Sequence, residues 1–385
     1  MLYISIIYIK NLTFCYIYNK LSIMNVIHHH PQYLPISLDY GKFARELAEA
    51  QYAVGLLQGS QSKLINARHL ISPLIAREAA VSSKIEGTQS TSSDIYVYGA
   101  GGKPVHDDTP VVSNYRVAMN TAIEQMEKGQ ALSMHLIKAT HGILLDNVRH
   151  KGVIGAFRSG DVWIAEKEGD PIEKALYIPP EHIHVPTYIE NILEYIENHD
   201  DLNLVKAAVI HYQFEAVHPF EDGNGRIGRL LIPLILSYKG ELSLPIVYIS
   251  GYFEAKPEEY RQALRQADTT GEYEPWIKFF LQAVKDQAYE TLRLVENIHK
   301  LNTDLKKRYE SSKSPYLGRF IDYLFKNPVF TVPMAMEDIN IPVRLTVTRL
   351  IELLEKDGII QQIKGQRGAG GTNIYAYWPL LELIS

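Results

Sequence analysis

Apolar positions recur at helical spacing along most of this chain, and the pattern breaks in two places. Residues 40–64 predict a first helix. Residues 72–85 predict a second, opening on the N-cap and N1 pair Ser72-Pro73 and closing at Gly87. The Gly, Pro and Asp content of residues 98–110 predicts a loop, and helical patterns resume at 111–128 and 133–145. Further helices are expected at 188–198, 204–217, 226–238, 257–267 and 273–305. The first break lies between Arg158 and Pro180. There the short β-prone runs 162–164 and 175–178 flank a charged turn and predict a β-hairpin on an otherwise helical protein. The second break follows the linker-like residues 311–315. Helices at 317–325, 335–339 and 344–357 precede two strands, 359–364 and 373–378, around a glycine-rich tip at 365–371. Three helices and a β-wing predict a small winged helix-turn-helix, so the fold class expected is mainly α. The chain shows no internal repeat.

Composition narrows the function classes. A chain of 385 residues suggests about two to three domains and can bury a sizeable core. Hydrophobic residues make up 46% and charged residues 22%, as in ordinary globular proteins. The net charge of −5 points to neither a nucleic acid nor an anionic membrane as the overall partner. The single cysteine, Cys15, excludes disulfide scaffolds and cysteine metal cages within one chain and fits a reducing, cytoplasmic compartment.

The first 24 residues have two readings. They are an ordinary N-terminal strand or extension, or they are translated A/T-rich upstream sequence with the start at Met24. The second is favoured, because Ile, Tyr, Asn, Lys and Phe dominate the segment and have A/T-rich codons. Lys10 and Asn11 interrupt the apolar run, so neither a signal peptide nor a membrane span is expected. The run His28-His29-His30 lacks a partner cluster and reads as part of a mobile segment rather than a metal site.

The densest chemistry lies at residues 218–229. His218 ends a long apolar helix, Pro219 fixes the following turn, and Gly223-Asn224-Gly225 precedes a new helix. Loop glycines at a helix N-terminus expose backbone N–H groups in one direction, a nest suited to phosphate. Arg226 and Arg229 share one helix face and can grip phosphate oxygens. Asp222 is a hard oxygen ligand for Mg²⁺ bridging phosphates, and His218 can take a proton from an attacking hydroxyl. A base, a metal carboxylate, a phosphate nest and two arginines are the toolkit of phosphoryl-type transfer.

Residues 218–229 match, at every fixed position, the pattern His-x-Phe-x-(Asp/Glu)-Gly-Asn-Gly-Arg-x-x-Arg, and here the chain resembles the Fic family. The resemblance covers most of residues 35–305 and implies a helical bundle with a β-hairpin flap. It implies AMP transfer from ATP-Mg²⁺ to a Tyr, Ser or Thr hydroxyl of a target protein. His218 would be the base and Asp222 the Mg²⁺ ligand. Gly223, Asn224 and Gly225 would hold the α- and β-phosphates, Arg226 the β-phosphate and Arg229 the γ-phosphate, with Ile227 and Gly228 completing the ATP-binding stretch. Phe220 would be a core anchor. Relatives that phosphorylate lack the second arginine, which this chain keeps.

The same resemblance extends to Ser82-x-x-x-Glu86-Gly87, similar to the family's inhibitory pattern, in which Glu86 would pair with Arg229 and displace the γ-phosphate. Residues 155–158 followed by Val162, Trp163 and Ile164 resemble the flap that pairs with a target peptide. Tyr252, Tyr260 and Arg261 lie in a segment resembling the adenine-side helix, with Tyr260 expected either to pack near the base or to belong to the core, and with Tyr260 and Arg261 counted among the ATP-binding residues that the resemblance implies. Four stretches are expected: an extension at 1–34, a helical region with the inhibitory helix at 35–130, a catalytic core at 131–305 and a winged helix at 316–385. A competing reading is a DNA-binding regulator, resting on Arg344, Thr346, Thr348 and Arg349 of the recognition helix and Lys364 and Arg367 of the wing. A third is a toxin-like protein that mainly modifies itself or its homodimer partner.

Overall fold

The structure is a computed structural model that describes residues 27–61, 67–167, 169–242, 244–312 and 314–385. Cys15, Met24 and the rest of residues 1–26 lie outside the described residues. In chain order, helices α1 (Ala44–Gln61), α2 (Ala67–Ile85), α3 (Ser92–Gly99), α4 (Thr109–Glu127) and α5 (Met134–Leu144) lead to strands β1 (Ile164–Ala165) and β2 (Ala175–Tyr177). Helices α6 (Val185–Asn198), α7 (Asn203–Val217), α8 (Asn224–Tyr238), α9 (Ser250–Ala255), α10 (Pro257–Thr270) and α11 (Glu274–Arg308) follow. The C-terminal region holds α12 (Leu317–Lys326), β3 (Val329–Thr331), α13 (Val332–Ile339), α14 (Arg344–Lys356), β4 (Gln361–Arg367), β5 (Asn373–Ala376) and α15 (Trp378–Ile384).

The middle of the molecule is built on α7. Its sequence is apolar on every face, and a helix of that kind must be buried all round. The one lysine on it, Lys206, reaches out of the core to donate to the His199 carbonyl at 2.7 Å and the Ile196 carbonyl at 3.2 Å. On one side of α7 an aromatic cluster of His211, Phe253, Tyr260, Trp276 and Phe279 fills the space against α9, α10 and α11. Trp276 anchors it by donating its indole N–H to the Ala208 carbonyl at 2.8 Å.

Helix α2 begins earlier than its sequence suggests. It already runs from Ala67, so Pro73 lies inside it rather than at its first turn. The Ser72 hydroxyl, expected to cap, donates instead to the Lys326 carbonyl at 2.9 Å. Burial of Leu74 and Ile75 on this helix outweighs the backbone hydrogen bond that an internal proline removes. Helix α3 opens with a capping box: the Thr91 hydroxyl accepts from the Asp94 N–H, and the Asp94 carboxylate accepts from the Thr91 N–H at 2.9 Å.

In the C-terminal region β3, β5 and β4 form an antiparallel sheet in that order, with Phe330 opposite Tyr375 and Gln362 opposite Tyr375. Together with α12, α13 and α14 it supplies the elements of a winged helix-turn-helix. This region lies directly on α2 and α3. Ser92 donates to the Ile384 carbonyl at 3.3 Å, and the Lys103 N–H donates to Gln366 Oε1 at 2.9 Å. Around the tip of the β4–β5 hairpin the backbones touch: a Cβ on Gly101 would lie 2.7 Å from the Ala369 nitrogen, and one on Gly368 would lie 2.8 Å from the Ala100 carbonyl oxygen. Among the described residues no helix is long and apolar enough to cross a membrane.

Candidate active site

His218 is the C-cap of α7 and stands in the left-handed region, with φ 49° and ψ 63°. That conformation is uncommon for a non-glycine residue and persists only where the surroundings enforce it. Arg158 supplies much of the enforcement. Its Nε donates to the His218 carbonyl at 2.8 Å, its Nη2 to the Val217 carbonyl at 3.3 Å and to the Pro180 carbonyl, and its backbone N–H to the Pro219 carbonyl at 2.9 Å. A buried guanidinium thus satisfies carbonyls at the C-terminus of α7, where positive charge is favourable. Tyr177 of β2 adds a hydrogen bond to the Ala216 carbonyl at 2.8 Å. Burial pushes the His218 imidazole down to about 4, outweighing the backbone hydrogen bond with Glu215 that favours its charged form. At neutral pH the ring is therefore uncharged and able to accept a proton.

The loop from His218 closes onto α8 through Asn224. Its side-chain amide accepts from the Phe220 N–H and donates to the Phe220 carbonyl, both at 2.8 Å. That side chain shapes the loop, so what Asn224 can offer a phosphate is its backbone N–H. Gly223, at φ 81°, turns the chain into the helix. The first-turn N–H groups of a helix have no intrahelical acceptor and face outward as an anion site. Ile227 does not join them: its N–H bonds the Gly223 carbonyl at 3.0 Å and its side chain is fully buried. Gly228 lies beneath the Glu215 carboxylate, with which any Cβ there would collide. Arg226 donates to Asp222 Oδ1 at 3.0 Å, leaving the Asp222 side chain 31% exposed at the mouth of the nest.

Arg229 is held from three sides. Its Nε donates to Ser82 Oγ at 2.9 Å, and its Nη2 donates to the Ser82 carbonyl at 2.9 Å and to Glu86 Oε1 at 2.6 Å. Burial opposes the charge of Arg229, but Glu86, Tyr260 and Glu215 more than offset it and raise its pKa. Burial likewise works against the Glu86 carboxylate. The charge of Arg229 and its hydrogen bond, with Arg226 and His218, hold Glu86 below the usual carboxylate range. The pair fits because residue 225 is glycine: a Cβ there would stand 2.5 Å from Glu86 Oε1.

One positioning residue is absent from the sequence reading. His141 of α5 accepts at Nδ1 from the Gly155 N–H (3.0 Å), so its Nε2 carries the proton and donates to the Asp222 carbonyl at 3.1 Å. Its ring lies flat on Phe220, with centroids 3.8 Å apart and planes 4° from parallel. His141 thereby ties the segment entering the flap to the loop that carries Asp222. His141→Ala is expected to lower stability by about 1–3 kcal/mol through two orphaned backbone groups, read as a fall in the denaturant midpoint.

A cleft of about 120 Å³ lies between the flap, α7 and α10, with Ile164, Leu176, Ala216, Arg261, Leu264 and Asp268 on its walls. The flap is a short hairpin in which Ile164 pairs with Tyr177. Val162 and Trp163 precede its first strand rather than belonging to it. Trp163 and Ile164 are exposed, and the Trp163 indole donates to the Asp170 carbonyl at 2.8 Å. Arg261 lines the cleft. Tyr260 does not: it is a core residue, stacked on Phe253 at 4.2 Å with its hydroxyl on His211 Nε2 at 2.9 Å. The helical periodicity of α10 points Tyr260 inward and Arg261, one position on, outward. The histidine run is not loose. The His29 N–H donates to the Ile178 carbonyl at 2.8 Å, and His28 Nδ1 pairs with the Pro179 carbonyl at 2.7 Å, so the run lies along the end of the flap. Among the described residues no group of three or more His, Cys, Asp or Glu is placed to hold a metal.

The arrangement has counterparts. The Fic/DOC family profile matches residues 131–236, and the Fic/DOC family N-terminal profile matches residues 44–124. A Fido domain-containing protein of Dictyostelium discoideum is 31% identical over 124 residues, 31% of this chain and 76% of that protein. The chain belongs to the Fic/DOC family. A probable protein adenylyltransferase of Aquifex aeolicus is 37% identical over 95 residues, 24% of this chain. The match spans 27% of that relative's length. The crystal structure of a Fic family protein from Desulfovibrio desulfuricans shares the fold at a TM-score of 0.57 and 22% identity, covering 90% of this chain and 98% of that one. In this Fic chain the N-terminal match includes Ser82 and Glu86, and the second match ends within α8.

Proposed function

We propose that this protein transfers AMP from ATP to a hydroxyl of a target protein and that Glu86 restrains the reaction. The observation that carries the reading is the convergence of His218, Asp222, Arg226 and Arg229 on the N-terminus of α8. A neutral His218 takes the proton of the incoming hydroxyl, whose oxygen attacks the α-phosphorus. The bond to the β-phosphate breaks and pyrophosphate leaves. The first-turn N–H groups of α8 hold the phosphates, Arg226 steadies the leaving β-phosphate and Arg229 the γ-phosphate. The partly exposed Asp222 carboxylate is a hard oxygen donor fit for Mg²⁺, which when bound would offset phosphate charge. The exposed edge of the flap offers backbone groups to an extended target peptide.

The restraint follows from the same contacts. With Glu86 seated on Arg229 Nη2 and Ser82 on Nε, a γ-phosphate has to displace the carboxylate to grip the guanidinium through Nη2, and a nucleotide that fails to do so would sit with its α-phosphorus out of line. The test is to incubate the Glu86→Gly protein with ATP, Mg²⁺ and a cell lysate and to map modified residues by mass spectrometry. Added AMP is expected, and addition of phosphate alone overturns the assignment. A second reading, a DNA-binding regulator, has one observation in its favour: Arg344 and Arg349 are exposed on α14. The wing that would accompany them is docked on residues 100–103. A salt-dependent gel shift on random duplex tests it.

A further inference from the structure

The cleft beside the catalytic loop contains a carboxylate for which the proposed chemistry has no use. Glu215 lies on α7 three residues before His218 and lines the cleft wall. Its Oε1 is buried with no hydrogen-bond partner. Burial raises the carboxyl to about 7, with the charge of Arg229 opposing the shift and that of Glu86 adding to it. A buried acceptor left unpaired is costly, and buried polar groups in native proteins generally have a partner. Residue 228 is glycine where any side chain would strike this carboxylate, so the backbone of α8 makes room for it.

Position along α7 says which part of a nucleotide Glu215 would meet. The phosphate nest is at the N-terminus of α8, next to His218. On its α10 side the cleft is bounded by Arg261, Leu264 and Asp268, and there Tyr212, two turns of α7 before His218, donates to Asp268 Oδ1 at 2.6 Å. Tyr212, Glu215 and His218 succeed one another at three-residue steps, about 4.5 Å of helix axis each. A nucleotide with its phosphates on the nest and its base toward Asp268 therefore lays its sugar across Glu215. A carboxylate repels phosphate but accepts from a sugar hydroxyl, the pairing acidic residues make in other nucleotide sites.

We propose that Glu215 recognises the ribose: its carboxylate accepts a hydrogen bond from a sugar hydroxyl and makes the site selective for ribonucleotides over deoxyribonucleotides. This rests on the AMP-transfer reading for the chemistry but not for the binding. The experiment uses the full chain carrying Glu86→Gly, with ATP, 2′-deoxy-ATP and 3′-deoxy-ATP. Affinity is measured by calorimetry and AMP transfer by labelling. At a pH above 7, where the carboxyl is ionised, a hydrogen bond to a charged acceptor predicts a preference for ATP over at least one deoxy analogue of about ten- to a hundredfold. Adding Glu215→Ala should bring that ratio close to one, while Glu215→Gln, a neutral acceptor of the same shape, should leave an intermediate ratio. A ratio unchanged in both variants overturns the proposal, as does an equal loss of affinity for all three nucleotides, the mark of a purely structural carboxylate. If the alanine variant does not fold, the glutamine variant decides alone. Sugar discrimination in binding without AMP transfer would sink the transferase reading and leave the ribose contact standing; transfer without discrimination would do the reverse.

Discussion

Glu86→Gly raises AMP transfer by about ten- to a hundredfold, the worth of one charge-assisted hydrogen bond that ATP no longer has to displace. The side chain of Arg229 is 2% exposed and has Glu86 at 2.6 Å. Ser82 keeps its two contacts with Arg229 in the variant, so the arginine stays where the γ-phosphate would look for it. What changes is the charge balance. A buried arginine stripped of its partner carboxylate destabilises the empty protein, and the nucleotide restores the missing negative charge. The variant should therefore melt below the parent without ligand and gain more from ATP-Mg²⁺ in a thermal-shift measurement. Equal labelling and equal ATP shifts with and without Glu86 would dismiss the brake. Because the Glu86 carboxyl is held below its ordinary value, the pair stabilises the fold at neutral pH and weakens only as pH falls through that lowered value.

His218→Ala in the Glu86→Gly background should lower the transfer rate by about 10²–10⁴-fold, the span expected for a positioned general base, with ATP affinity largely retained. The pH profile gives an independent reading. An exposed histidine would lose base activity below about 6.5. Here burial has moved His218 to about 4, so the acid limb of kcat/KM should fall near that value and the rate should stay flat above it. Stability runs with the opposite emphasis. His141, His211 and His218 are all depressed by burial, to about 4, 3 and 4, so the unfolded chain binds more protons than the native one below the ordinary histidine value of 6.5. The native protein should thus lose stability progressively from pH 6.5 downward, in a range where it still turns over.

The reach of the sequence can be judged residue by residue. The catalytic loop was legible because everything it needs is local: base, turn glycines and arginines are neighbours in the chain, and helix geometry alone puts Arg226 and Arg229 on one face. The Glu86–Arg229 contact joins residues far apart in sequence and was readable only through the resemblance of 82–87 to an inhibitory pattern. Nothing comparable marks His141. It is one of 14 histidines, its partners lie on two distant segments, and its stacking on Phe220 exists only once α5 is folded against the loop. Glu215 is hidden for the same reason, since its meaning depends on a glycine of the next helix. One local signal pointed the wrong way, and one left two outcomes open. Ser72-Pro73 has the chemistry of a helix start, yet packing against α12 carries the helix through it. Tyr260 suits a base-stacking role, yet α10 turns it into the aromatic core and leaves Arg261 on the cleft.

The glycine-lined contact between the β4–β5 hairpin and residues 100–103 bears on how such chains can be recombined. Residues 311–315 look in sequence like a place to cut, but the cut would not fall on a seam in three dimensions. The hairpin tip reaches back to the segment just after α3, and α12 holds Ser72 on the very helix that leads into Glu86. A graft that exchanged the last 70 or so residues with a relative would have to bring a matching 97–103 segment and a matching α2 surface with it. The two ends of this chain are therefore constrained to change together, although the residues expected to do the chemistry lie between them.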